Sequence, residues 1–126
     1  MEGISSRVYY RLFKAAHRAI SSDGPYMKVA ASIIVDGSVY SSHNTYKTHP
    51  HMAEASNGRK ECLHAEVALL TKFRGRDLRG PMLVIRENTL GLAMAKPCPY
   101  CQTYIRKHFQ KLKVYYSSES GEILKL

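Results

Sequence analysis

His64 and Glu66 stand two residues apart, and Cys98 and Cys101 stand three apart directly behind Pro97. Two cysteines at that interval in the first turn of a helix project to one side, so both sulfurs can reach one metal ion. A helix N-terminus also favours anions, which lowers the cost of holding the side chains as thiolates. With His64, the set becomes one imidazole and two thiolates. A zinc ion with only three protein ligands keeps its fourth position for water, whose pKa it lowers from near 16 to about 7. Glu66 is then the group beside that water, able to accept its proton, pass it to a ring nitrogen and help protonate a departing amine. The competing readings are a structural zinc knot or a reduced Cys-x-x-Cys with no metal. A closed structural site normally takes four protein ligands, and only three stand at matching positions. Cys62, the spare thiol, is expected as a small buried hydrophobe rather than a ligand.

His-x-Glu followed by Pro-Cys-x-x-Cys is the signature of zinc nucleobase deaminases, and with its order of elements the chain resembles the cytidine deaminase-like superfamily. The resemblance covers nearly the whole chain at low detail. It implies a zinc-dependent hydrolase with metal ligands His64, Cys98 and Cys101 and Glu66 as proton shuttle. The expected reaction is hydrolytic deamination of a cytosine-type nucleoside or nucleotide, with release of ammonia. The resemblance also places Asn44, at the end of the second strand, and Ala65 among the substrate contacts. For Asn44 the competing reading is a loop asparagine bonded to its own backbone.

Members of the superfamily that act on free cytidine usually carry a glutamate two residues after that asparagine, where this chain has Tyr46. Tyr46, Lys47, Thr48 and His49 are still substrate-binding candidates, since a ring, a cation and two hydrogen-bonding groups suit a nucleotide whose monophosphate Lys47 and His49 compensate, although short polar loops are often merely solvated. The C-terminal hairpin is similar to the free-cytidine branch, since the deoxycytidylate and tRNA-adenosine branches usually insert a helix before the last strand. Two other functions stay open: a deaminase acting on a base within single-stranded DNA or RNA, including tRNA adenosine, and a zinc-containing nucleotide- or RNA-binding module without catalysis. Glu66 argues against the inactive module, because such a member can lose its proton shuttle. The family's small members are commonly dimers or tetramers, so a homo-oligomer is expected.

These residues need a scaffold, and the hydrophobic pattern outlines one. Ile4, Val8, Leu12, Ala15, Ala16 and Ala19 recur at helical spacing to about Ser21, with Asp23-Gly24-Pro25 ending the helix. Arg7, Arg11, Lys14 and Arg18 form a basic stripe on it, read as a solvated face or a nucleic-acid contact. Residues 27–35 and 38–44 are strands joined by an Asp36-Gly37 turn, and 45–61 reads as a polar loop long enough to shape a site. A second helix is predicted from Leu63 to Phe73, a buried strand from Pro81 to Glu87, a third helix from about Cys98 to Leu112, and a strand from Lys113 to Ser118. Glu119-Ser120-Gly121 turns the chain back into a last strand over 122–126. The expected class is α/β: a three-layer α-β-α domain with a mixed sheet of about five strands and a C-terminal β-hairpin.

Composition limits the alternatives. One domain over residues 1–126 fits the length. No apolar run approaches the roughly 20 residues of a membrane-spanning helix, and no secretory signal is visible, so a cytoplasmic protein without a membrane partner is expected. Three cysteines cannot all pair within one chain, which suits a reducing compartment. The net charge of +9 favours anionic ligands, nucleotides or polynucleotides among them.

Overall fold

The computed structural model describes residues 4–21, 28–48, 62–88 and 91–126. The first helix, α1 (Ser6–Ser21), is capped by the Ser5 hydroxyl, which accepts a hydrogen bond from the Val8 amide at 3.2 Å. Leu12, Ala16 and Ile20 lie four residues apart and are buried, while Arg7, Arg11, Lys14 and Arg18 are exposed. The helix is thus held by one apolar stripe. The buried Ser32 hydroxyl also donates to the Leu12 carbonyl at 2.7 Å, fixing α1 on the sheet.

Strands β1 (Lys28–Val35) and β2 (Ser38–His43) form an antiparallel hairpin. Its turn has positive φ at both Asp36 (52°) and Gly37 (82°), the geometry that matches the twist of paired strands. β5 (Met82–Asn88) pairs antiparallel with β1 and parallel with β7 (Val114–Ser117), which pairs antiparallel with β8 (Ile123–Lys125). The strand order is β2-β1-β5-β7-β8, and β6 (Gly91–Ala93) folds back on the end of β5. This is a mixed, open six-stranded sheet.

Helices cover both of its faces. Alternate residues of the middle strands supply two cores, with Ala30, Leu83, Ile85 and Tyr115 facing α1, and Ala31, Ile33, Met82, Val84 and Val114 facing the other helices. Burial on both sides explains why 82–85 is continuously apolar. The second face is covered by α2 (Ala65–Leu70), continued by a 3-10 turn over Thr71–Phe73, and by α3 (Pro99–His108). Among the described residues, no helix is long and apolar enough to cross a membrane.

Three elements differ from the sequence pattern. Part of the expected 45–61 loop is a strand, β3 (Thr45–Thr48), paired with β4 (Cys62–Leu63) in a separate ribbon. Thr45, Tyr46 and Thr48 favour extended backbone, but a ribbon this short and irregular carries no readable period. The third helix stops at His108 because Phe109 leaves helical geometry (φ −140°, ψ 63°). Phe109 nevertheless remains buried in the core, as does part of Leu112, which mimics a continuing helical face. β6 went unread because its three residues fall below any periodic signal. Residues 23–25, expected to end α1, lie outside the described residues.

Candidate metal centre

Two helix starts meet here. His64 caps α2 in extended geometry (φ −76°, ψ 155°), and its carbonyl accepts from the Ala68 amide at 2.8 Å. It directly follows β4, whose Leu63 pairs with Thr45, so His64 and Asn44 lie at the same end of the β3-β4 ribbon. Cys98 likewise caps α3 (φ −65°, ψ 163°), and Pro99 takes the first helical position, where its missing N–H costs nothing. Cys101, one turn into α3, is fully buried.

The segment that delivers Cys98 is held from several sides. Ser117, buried at the end of β7, accepts from the Arg86 amide at 3.2 Å and donates its hydroxyl to the Ala93 carbonyl at 2.7 Å. Its carbonyl accepts from the Ala95 amide at 2.9 Å. Gln102 donates its side-chain amide to the Pro97 carbonyl at 2.8 Å. The centre therefore sits beyond the carboxyl end of β5, next to a parallel neighbour, where open α/β sheets commonly place their sites.

The Sγ atoms of Cys98 and Cys101 are 3.5 Å apart, and His64 Nδ1 is 3.6 Å from the first and 3.2 Å from the second. A tetrahedral ion with metal–sulfur bonds of about 2.3 Å and a metal–nitrogen bond of about 2.0 Å requires sulfurs about 3.8 Å apart and nitrogen about 3.5 Å from each. The donors are already within about 0.4 Å of those separations, so this group could hold a metal ion. Among the described residues it is the one cluster of three or more such side chains.

The electrostatics suit a cation. The neighbouring Cys101 thiol, and then His64, hold the Cys98 thiol down at about 4, well below an ordinary cysteine. Its hydrogen bond to Cys98 and its burial push Cys101 the other way. Without a cation the pair is one thiolate and one thiol, whereas a divalent ion draws both as thiolates. Glu66, 4% exposed in the first turn of α2, has its carboxyl pushed above the usual range chiefly by burial. Its nearness also helps to raise the Cys101 thiol. Its carboxylate lies outside the three-donor cluster and borders it.

The remaining sequence candidates are less closely gathered. Asn44 is half-buried; its side-chain oxygen accepts from the Val29 amide at 3.4 Å and its own amide donates to the Val29 carbonyl at 3.1 Å. It bonds to strand β1 rather than to its own loop. The Ala65 side chain is wholly buried in the core, so only its backbone is left to meet a ligand. Tyr46 and Lys47 lie on β3 and Cys62 on β4, but their side chains, like all of His49, fall outside the described residues. Gln102 and Ser117 were not singled out in the sequence. Gln102 had a faint signal, a long amide one turn beyond a helix-opening proline, whereas Ser117 is legible only once β5, β6 and β7 are side by side.

No protein-family model matches the chain, and no curated protein matches it significantly.

Proposed function

We propose that the chain is a zinc-dependent hydrolase that deaminates a cytosine-type nucleoside or nucleotide, with the fold of the cytidine deaminase-like superfamily. The observation that carries this reading is a trio of one nitrogen and two sulfurs at tetrahedral separations, beside a buried carboxyl that does not join the trio. Zinc suits this mixture of imidazole and thiolate, and when bound it supplies acidity to water near neutral pH.

The chain's residues then divide the work. His64, Cys98 and Cys101 would hold the ion at the two helix starts. Burial raises the Glu66 carboxyl above the usual range, which makes it a better proton acceptor than an exposed carboxylate. It would take one proton from water and deliver it to the ring nitrogen, then take the remaining hydroxyl proton as the ring carbonyl forms and hand it to the leaving amine. Overall one water replaces the amino group, leaving a ring carbonyl and ammonia. Asn44, at the His64 end of the small ribbon, would offer its side-chain nitrogen to the sugar or base, since its oxygen already accepts from the Val29 amide. The resemblance further supports a homo-oligomer.

The test is ammonia release by metal-quantified protein from cytidine, deoxycytidine and their monophosphates. Release that disappears in Glu66→Ala, with zinc retained, is the expected result; equal release from wild type and variant contradicts the reading.

A further inference from the structure

The positive charge of this molecule has two concentrations, the α1 stripe of Arg7, Arg11, Lys14 and Arg18 and a larger one on the other face of the sheet. Residues 71–79 and 106–113 contain eight of the nineteen lysines and arginines and a single acid, Asp77, giving a net +7 out of the chain's +9. The other 109 residues carry only +2. These two segments are the C-terminal end of the α2 unit and the C-terminal end of α3, and they lie against each other. An Arg74 guanidinium nitrogen is 3.3 Å from His108 Nε2, Lys111 Nζ is 3.8 Å from Asp77, and the Lys113 amide donates to the Arg79 carbonyl at 3.0 Å. Between them runs a groove of about 300 Å³ lined by Arg76, Asp77, Lys107, His108 and Lys111.

Helix dipoles account for part of this. Arg106 and Lys107 fall in the last turn of α3, where cations are favoured. Arg74, Arg76 and Arg79 lie beyond the 3-10 turn, and Lys111 and Lys113 beyond α3, so the dipole does not explain them. Asp77 is shared between Arg79 and Lys111, and Asp36 takes Arg76. Solubility is served by interspersed signs, whereas one-signed clustering costs self-repulsion and fits a surface that meets a polyanion.

We propose that this groove binds the phosphodiester backbone of single-stranded nucleic acid. Of the exposed large apolar side chains described, Leu126 borders Arg106 and Gln110 and Tyr40 packs edge-on against Phe73; these are single side chains at the margin of the basic surface, not the continuous apolar face that inserts into a bilayer. Phe109, the groove's one apolar ring, is 2% exposed and offers no face for stacking a base. The groove thus reads phosphate and leaves the base free. It lies at the opposite ends of α2 and α3 from the metal centre, about 15 Å along the ten-residue α3. The choice of a single strand over a duplex rests on the proposed function, extended from a free nucleotide to a nucleotide within a chain, whose base must be unstacked to reach such a centre. The backbone contact does not.

The experiment is fluorescence anisotropy of a labelled oligodeoxythymidine titrated with intact zinc-loaded protein between about 50 and 200 mM salt. Four to five phosphate contacts predict a slope of log K against log salt of about −3. Lys107→Ala with Lys111→Ala should weaken binding about tenfold at low salt and flatten the slope by about 1.4. Arg74→Ala with Arg76→Ala should do the same, while Arg7→Ala with Lys14→Ala, on the opposite face of the sheet, should leave binding unchanged. Unaltered thermal unfolding of the exposed lysine pair guards against a folding artefact. A shallow slope, an equal loss from the α1 pair, equal competition by a duplex of the same phosphate number, or preference for phosphatidylglycerol vesicles would each overturn the proposal. Glu66→Gln should bind like wild type. Groove-dependent binding without deamination therefore removes only the proposed function, and deamination without groove-dependent binding removes only this inference.

Discussion

His64 Nδ1 and Cys101 Sγ are 3.2 Å apart although 37 residues separate them in the chain. Neither side chain reaches far. The contact exists because the cap of α2 and the first turn of α3 meet at one end of the helical layer, so the donor set is a property of how the two helix starts are seated.

Zinc should therefore bind at one ion per chain, and the fold should depend on it. His64→Ala or Cys101→Ser should reduce occupancy, and chelation should lower the melting temperature of wild type towards that of the variants, since a donor set that exists only in the folded chain links binding to folding. Metal analysis together with thermal unfolding, with and without chelator, checks this.

Glu66→Gln should keep the metal and lose the proton relay. Loss of general acid–base catalysis costs about 10² to 10⁴ in rate, and substitution of a group outside the donor trio should leave zinc content at the wild-type level. Parallel measurements of turnover and bound metal separate the two effects.

Proton release on metal binding follows from the unequal cysteines. At pH 7 Cys98, held at about 4, has already lost its proton, while Cys101 has been pushed up and retains its own. Zinc binding should thus release one proton from the pair, and affinity should rise about tenfold per pH unit around neutrality and fall on acidification. Calorimetry in buffers of different ionisation enthalpy, on Glu66→Gln so that the carboxyl does not enter the count, measures it. Release of two protons would show both thiols protonated beforehand.

Gly80→Ala should destabilise the domain without touching the metal site. Gly80 has φ of +85°, and an added Cβ would sit 2.8 Å from the Lys113 carbonyl oxygen, which is already bonded to the Met82 amide at 2.9 Å. Left-handed strain plus that clash amounts to roughly 1–3 kcal/mol. Denaturant unfolding should show the loss, with zinc stoichiometry unchanged.

The scaffold was legible where local chemistry and tertiary context agree. Leu12, Ala16 and Ile20 sit on one helical stripe because α1 has one dry face, and Asp36-Gly37 made the first hairpin readable because few residues accept its backbone geometry. The donors were legible from residue type and spacing alone. Phe109 and Leu112 misled because a loop that packs into a core keeps the helical spacing of its apolar residues. Ser117 and Gln102, which steady Ala93, Ala95 and Pro97, were unreadable because their partners are fixed by strand neighbours and a helix entry rather than by any motif. The clustering of Arg74, Arg76, Lys107 and Lys111 needed the seating of α2 against α3.

X-ray absorption at the zinc edge of the purified, metal-loaded protein addresses the open fourth position most directly. Two sulfurs at about 2.3 Å and two lighter scatterers at about 2.0 Å are the coordination predicted here. A third sulfur, supplied by Cys62, would close the site and contradict the account.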